Sequence, residues 1–255
     1  MNQQDLVLND LNQKEETSSK EKESAVSGAE EEALMMEMMK NGVFYGHRKS
    51  RKNPAFKNFV FASRNGIELI DLSFTIKMLD EVAEFLKQKI QEKKKFMVVG
   101  TQPAAKEVVV KLAKALGNCP YVVNKWIGGL ITNFNVLLRR IEYFKKRKRD
   151  WEEKMFENYT KKEKLLIERE LGKMKQKFLG LEEYNKLPEI LFIIDSSLKG
   201  HKSALKEAKK KGITVVGIID NDDNPDDFDY FIPANDHSKP SLEWVVGKLI
   251  EKISS

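Results

Sequence analysis

The chain reads as an α/β protein: a parallel sheet of about five strands with helices on both faces, interrupted by one helical insertion. Three observations predict this. Phe96–Thr101 and Ile190–Ile194 are apolar runs without alternation, as expected for strands buried on both faces. Such runs alternate with helical stretches that close at Gly117 and Gly212. Between Lys125 and Leu181 the alternation stops, and apolar residues recur in steps of three and four.

Taken in order, residues 1–28 are rich in Gln, Asn, Glu, Lys and Ser and bury too little to offset the entropy of ordering, so they read as a disordered acidic tail. A helix opens near Ala29, where Glu30, Glu31 and Glu32 favour its positive end and Leu34, Met35, Met38 and Met39 supply an apolar face; it stops at Asn41-Gly42. Val43 to Pro54 is a loop with Arg48, Lys49, Arg51 and Lys52 in five positions, followed by Lys57 and Arg64 and interleaved with Phe44, Tyr45, Phe56 and Phe59. Cations between aromatic faces suit an RNA backbone and its bases. Phe59–Ala62 and Ile67–Asp71 form a hairpin around Arg64-Asn65-Gly66, because Asn-Gly accepts the positive φ angles of a tight turn.

The α/β alternation follows: a helix from Ser73 to Gln91, the strand at Phe96, a helix with Pro103 in its first turn running to Gly117, and a strand over Tyr121–Asn124. After the insertion come the strand at Ile190, a helix from Gly200 or His201 to Lys211, a strand over Thr214–Ile219, a short strand Phe231–Pro233 and a helix Lys239–Ile253. The core is therefore 29–133 together with 182–255, and 134–181 is an inserted arm.

The arm reads as an antiparallel coiled-coil hairpin. Phe134, Leu137, Ile141, Phe144, Trp151 and Met155 form one seam, with Lys148 on its skipped position. Ile167, Leu171, Met174, Phe178 and Leu181 form the other, and Thr160-Lys161-Lys162-Glu163 between them is a capping box. The first helix carries Arg139, Arg140, Lys145, Lys146, Arg147, Lys148 and Arg149 against Glu142 alone.

Charge is divided along the chain. The total is +6, but residues 1–32 hold nine acidic and three basic side chains, a net of −6, which leaves +12 on residues 33–255. A basic globular part favours phosphate-rich partners. No apolar run reaches the roughly 18 residues of a membrane span, and the first twenty residues have no signal-peptide core, so a cytoplasmic location is expected. The one cysteine, Cys119, permits neither an internal disulfide nor a cysteine cluster, and beside Pro120 it reads as a small core side chain.

Catalytic chemistry finds little support. Gly100-Thr101-Gln102-Pro103 lacks the companion glycines of a dinucleotide fingerprint, and no phosphate-binding P-loop occurs. Six aspartates between Asp220 and Asp229 do not have EF-hand spacing and read as turns and caps before Pro225 rather than as a metal site. His47, His201 and His237 are far apart in sequence, and no nucleophile, base and orienting group come together. Trp126-Ile127-Gly128-Gly129, at the mouth of the arm, has two readings: a tight turn packed by Trp126, and a helix entrance offering free amides with Thr132 or Asn133 to a phosphate.

Together these stretches resemble the bacterial family of small-subunit ribosomal protein two, over about Met35 to Ile250. The resemblance rests on Gly42-Val43-Phe44-Tyr45-Gly46-His47 with Asn53-Pro54, Arg64-Asn65-Gly66-Ile67 through Asp71-Leu72, Gly100-Thr101, Trp126-Ile127-Gly128-Gly129 with Leu130-Ile131-Thr132-Asn133, Leu187-Pro188 to Asp195, Lys206-Glu207-Ala208, Gly212-Ile213 and Ile232-Pro233-Ala234-Asn235-Asp236. It implies a flavodoxin-like three-layer domain with an inserted coiled coil, bound to ribosomal RNA and neighbouring ribosomal proteins where the head of the small subunit meets its body. It implies no catalysis, cofactor or small-molecule substrate. Departures from the family pattern are Phe44 and Glu68 in place of histidines, Gln102-Pro103 in place of a basic pair, Lys125 and Pro240 in place of arginines, Asn224 in place of an aspartate, and two extra residues between Asp195 and Glu207.

The function expected from the sequence is thus a structural RNA-binding protein. Its phosphate contacts would be Arg48, Lys49, Arg51, Lys52, Lys57, Arg64, Lys125, Arg139, Arg140, Lys145, Lys146, Arg147 and Arg149. The competing expectation is an α/β enzyme or sensor that takes a small phosphorylated ligand at the strand ends near Thr101, Asp195 and Asp220. The acidic tail could serve as a docking segment for a basic partner or as a shield against non-specific RNA.

Overall fold

A computed structural model describes residues 31–156 and 158–255; the tail at 1–28 lies outside them. Residues 31–40 form helix α1, which ends where both the amide and the side chain of Asn41 donate to the carbonyl of Glu37. Residues 42–255 form one unit with two sheets.

The larger sheet contains β4 (Phe96–Val99), β5 (Tyr121–Val122), β6 (Ile190–Ile194), β7 (Thr214–Ile219) and β8 (Tyr230–Pro233), all parallel, in the order β5-β4-β6-β7-β8. Numbered from the first of its strands this is 2-1-3-4-5, the flavodoxin-like order. Every residue of β4 and β6 is buried, which is why their sequences do not alternate. Helices α2 (Leu72–Gln91), α3 (Lys106–Ala115), α6 (Lys199–Lys211) and α7 (Lys239–Ser254) flank the sheet. Met97, Val99, Leu191, Ile193, Val215 and Ile219 join Leu205 and Ala208 of α6 in one apolar cluster. The alternate residues Val98, Phe192, Ile194, Val216 and Ile218 are buried outside that cluster, and α7 packs on both α2 and α3. Three layers result.

The smaller sheet is antiparallel in the order β1-β3-β2, from β1 (Tyr45–Arg48), β2 (Val60–Arg64) and β3 (Ile67–Ile70). Asn65 at φ 53° and Gly66 at φ 77° make the expected turn between β2 and β3. The first half of the basic loop is not a loop: Tyr45–Arg48 is a strand, because β3 offers it a partner across Tyr45–Leu69 and Arg48–Ile67. Gly46 lets this strand approach the end of β7, where a Cβ atom would stand 2.7 Å from Asn221 Oδ1.

The insertion consists of α4 (Phe134–Glu152) and α5 (Lys161–Phe178). They run back along one another: Phe144 faces Phe178 with ring centroids 5.8 Å apart, and Arg147 reaches Glu170. Thr160 and Glu163 make the expected capping box. Leu137, Ile141, Phe144 and Phe178 are continuous with the sheet core, so the base of the hairpin is part of that core. The outer end departs from the expected seam. Lys154 takes φ 56°, its amide bonds to Trp151 and that of Met155 to Asp150, a Schellman closure that stops α4 and leaves Met155 65 % exposed. Pro103 is likewise displaced from expectation: residues 102–105 form a turn, closed by the Ala105 amide on the Gln102 carbonyl, and α3 starts only at Lys106.

Candidate nucleic-acid interface and the strand-end cluster

Two elements present the predicted cations. Arg48, Lys49 and Arg51 stand exposed at the end of β1 and in the single 3-10 turn after it, Lys57 is exposed in the next such turn, and Arg64 lies at the tip of the hairpin. None has a carboxylate in ion-pair range among the described residues. On α4, Arg139, Lys146 and Arg149 are seven and three positions apart, placing them opposite the buried stripe of Leu137, Ile141 and Phe144; all three are exposed, as is Arg140. Lys125 is exposed at the entrance to the arm and Lys145 is half-buried.

Two of the thirteen predicted contacts are committed inward. Lys52 Nζ lies 3.0 Å from a carboxylate oxygen of Glu68, which is only 2 % exposed. Glu68 therefore takes up a cation of the loop instead of adding to its charge. Arg147 is half-buried, with its guanidinium 4.9 Å from the centre of the Phe156 ring and 3.9 Å from Glu170, so it ties the hairpin together. Lys148, on the skipped seam position, pairs with Glu182 at 2.9 Å.

The turn at the mouth of the arm is occupied by the protein's own anion. The Glu207 carboxylate, projecting from α6, accepts hydrogen bonds from Trp126 Nε1 and the amides of Gly129, Ile131 and Thr132 at 2.8–3.0 Å, and from the Thr132 hydroxyl at 3.1 Å. These are the amides a phosphate would have used, so the phosphate reading of that turn is replaced by a carboxylate clamp. Gly129 meets the geometry at φ +88°. Burial alone would raise the Glu207 pKa, but the donors from Thr132, Gly129, Trp126 and Ile131 outweigh it and hold the group below its usual value.

A second concentration of charge lies where the strands of the large sheet end, at the place the sequence marked with Thr101, Asp195 and Asp220; the part played there by His47, His201, Asp236 and His237 was not expected. Thr101 follows β4, Asp195 follows β6, Asp220 to Asp223 follow β7, and Asp236 and His237 follow β8. His201 joins two of these ends: its Nε2 accepts from the Thr101 amide at 3.2 Å, so its Nδ1 carries the proton donated to the Asp195 carbonyl. Burial lowers its pKa and keeps the ring neutral. Gln102, where the family pattern has a cation, is buried and donates to the Asp195 carboxylate. Asp223 accepts from the amide and hydroxyl of Ser196 at 3.0 and 2.6 Å.

His47 arrives from the small sheet, 173 residues before its partner Asp220, and its ring stands edge-on to that of His237 with centroids 4.4 Å apart. The bond to Asp220 raises the His47 pKa; Asp220, despite its burial, is held low by that histidine. Burial raises Asp222 to about 8 and Asp223 to about 7, and puts Asp236 well above the carboxylate range. The outer aspartates behave as the sequence suggested: the Asp229 carboxylate accepts from the Val215 amide, and Asn224 caps the turn at Pro225. The positional signal that marked Asp195 and Asp220, each directly after a strand, extends to Asp236, three residues past the end of β8. Cys119 is buried, with its thiol pushed up to about 12 by burial, in keeping with a packing role.

An α/β sheet of flavodoxin-like order, with a basic three-stranded sheet and a basic helical hairpin attached to it, defines a class of scaffold that presents cations on accessory elements and keeps its strand ends filled. Within that class the family is specific. The family described as ribosomal protein S2 matches residues 38–255, and the chain belongs to it. The small ribosomal subunit protein uS2 of Petrotoga mobilis is 37 % identical over 219 residues, which is 86 % of this chain and 75 % of that protein. Those of Parabacteroides distasonis and Dictyoglomus thermophilum are 36 % and 37 % identical over 218 and 220 residues, again 86 % of this chain and 77 % and 88 % of theirs. Ribosomal protein S2 is not a family of enzymes. No helix among the described residues is long and apolar enough to cross a membrane.

Proposed function

We propose that the chain is a structural component of the small ribosomal subunit, working in the cytoplasm, and that it holds ribosomal RNA through two separate sets of cations. One set is Arg48, Lys49, Arg51, Lys57 and Arg64 on the small sheet; the other is Arg139, Arg140, Lys146 and Arg149 on α4, with Lys125 between them and Lys145 at the edge of the second. The observation that carries this reading is that these cations, Lys145 aside, are exposed and have no carboxylate in ion-pair range among the described residues, on a chain whose residues 33–255 carry +12. Phosphate contacts of this kind fix position and orientation without reading sequence. In this reading the core, 29–133 with 182–255, is a platform, and the arm, 134–181, sets the distance between two RNA regions and touches neighbouring proteins.

The filled strand ends support the same reading against a small-molecule site. Thr101 and Asp195 are engaged by His201 and Gln102, and Asp220 by His47. The test is sedimentation of the chain with small subunits on a sucrose gradient. Co-sedimentation at moderate salt with release at high salt is the expected result; a chain that stays at the top of the gradient at both would overturn the proposal.

A further inference from the structure

The chain has six tyrosines, and five of them are spent on the protein itself. The Tyr184 hydroxyl donates to the Leu130 carbonyl, the Tyr230 ring stacks on Phe85, and the rings of Tyr45 and Tyr159 meet Phe44 and Phe156. Tyr121 packs on Gly180, where an added Cβ would stand 2.5 Å from its ring. Tyr143 is the exception. It is 49 % exposed on α4, and neither its ring nor its hydroxyl has a partner among the described residues.

A single exposed ring is ordinary, but the neighbours of this one are not. Residues three and four positions away share its side of the helix, and among them Arg139, Arg140 and Lys146 are exposed with no carboxylate in ion-pair range among the described residues. Arg147, the remaining such position, is half-buried against Phe156 and Glu170. Glu142 precedes the tyrosine but lies about 100° round the helix, and half-buried Asp150 is about two turns further on. The ring is therefore framed by cations. Arg139 and Lys146 stand roughly 10 Å apart along the axis, with Tyr143 between them. A protein partner would need acids and an apolar side chain at matched positions, whereas every nucleotide brings both a phosphate and a flat apolar face.

We propose that Tyr143 stacks on an unpaired base of ribosomal RNA, with Arg139, Arg140 and Lys146 on the phosphates to either side of it. This rests on the RNA-binding reading above and narrows it: the outward face of α4 takes a single-stranded segment, such as a loop, bulge or end. The side of a duplex offers the ring nothing, because each base there is covered on both faces by its neighbours. Since every base has a π-face, the contact holds the strand in place without reading its sequence.

The experiment measures binding of the full-length chain to small-subunit ribosomal RNA and to a fully paired RNA duplex, each over a range of salt. Tyr143→Ala should weaken binding to the ribosomal RNA about 5- to 150-fold, the loss of one stacked base, with the slope of log K against log salt unchanged. Tyr143→Phe keeps the ring and should bind within about twofold of wild type, and neither variant should alter binding to the duplex. Because Tyr143 is exposed and alanine suits a helix, both variants should fold, which an undiminished melting temperature checks. Wild-type affinity of Tyr143→Ala for the ribosomal RNA overturns the proposal, and so does an equal loss on the duplex. Tyr143→Phe as weak as Tyr143→Ala also overturns it, by assigning the contact to the hydroxyl. If Tyr143→Ala binds RNA normally but no longer sediments with small subunits, the ring docks on a neighbouring protein and the proposal falls. A wild-type chain whose binding to ribosomal RNA shows no salt dependence would instead overturn the RNA reading itself, so the two failures are told apart.

Discussion

The arm and the ends of the large sheet each concentrate charge, and they treat it in opposite ways. On α4 the cations Arg139, Lys146 and Arg149 are exposed with no ion-pair partner among the described residues, while at the sheet the carboxylates of Asp195, Asp220 and Asp223, like that of Glu207 at the mouth of the arm, point inward and are spent on backbone amides, hydroxyls and side chains. Buried charge with satisfied bonds fixes the shape of a turn. Exposed charge without a partner costs little in the free chain and remains available to RNA. The same distinction separates cations within one element, since Arg147 and Lys148 serve the hairpin while Lys146 and Arg149 on either side of them do not.

The sharpest way to break this contrast is to remove an inward charge. Glu207→Ala leaves Trp126 Nε1 and the amides of Gly129, Ile131 and Thr132 without their acceptor, and should cost about 3–5 kcal/mol in urea unfolding, comparable to breaking a buried ion pair. Ile141→Ala, at the base of the arm where the hairpin joins the core, should cost about 2–5 kcal/mol. If either change is neutral, the arm is not anchored as described. Thr160→Ala, which removes the capping box at the outer turn, should cost about 1 kcal/mol.

Acid titration sharpens the comparison further. The folded pKa of Glu207 lies below its unfolded value, so the stabilisation it gives is present above the ordinary carboxylate range near 4.5 and is lost as pH falls through the lower folded value. Glu207→Gln should therefore flatten the acid limb of a stability–pH curve. An unchanged limb would mean that the carboxylate charge is not what holds the turn.

Much of the fold was legible because local chemistry agreed with tertiary structure. Strands β4 and β6 were visible as unbroken apolar runs, Asn65-Gly66 as a hairpin turn, and Thr160 to Glu163 as a helix start. Strand β1 was not, because Tyr45–Arg48 has no apolar alternation and owes its conformation to β3, some twenty residues on. The end of α4 was missed because Lys154 adopts a left-handed conformation that glycine usually signals. The cations were legible as a set but not one by one: nothing local to Lys52 shows that Glu68, sixteen residues later, is waiting across the small sheet. The strand-end cluster was legible in part: Asp195 and Asp220 could be read as residues following strands, whereas His47 and His237 join them only through the strand order.

The most direct test of the account is the salt dependence of binding to small-subunit ribosomal RNA, compared between two sets of arm variants. Replacing the outward cations Arg139, Lys146 and Arg149 together with glutamine should reduce the slope of log K against log salt by about 2–3, at roughly 0.7–0.9 for each phosphate no longer neutralised. Replacing Lys148, which is paired with Glu182, with glutamine should leave that slope unchanged. An unaltered slope for the triple variant, or an equal reduction for Lys148→Gln, would contradict the division of the arm's charge into structural and RNA-binding parts.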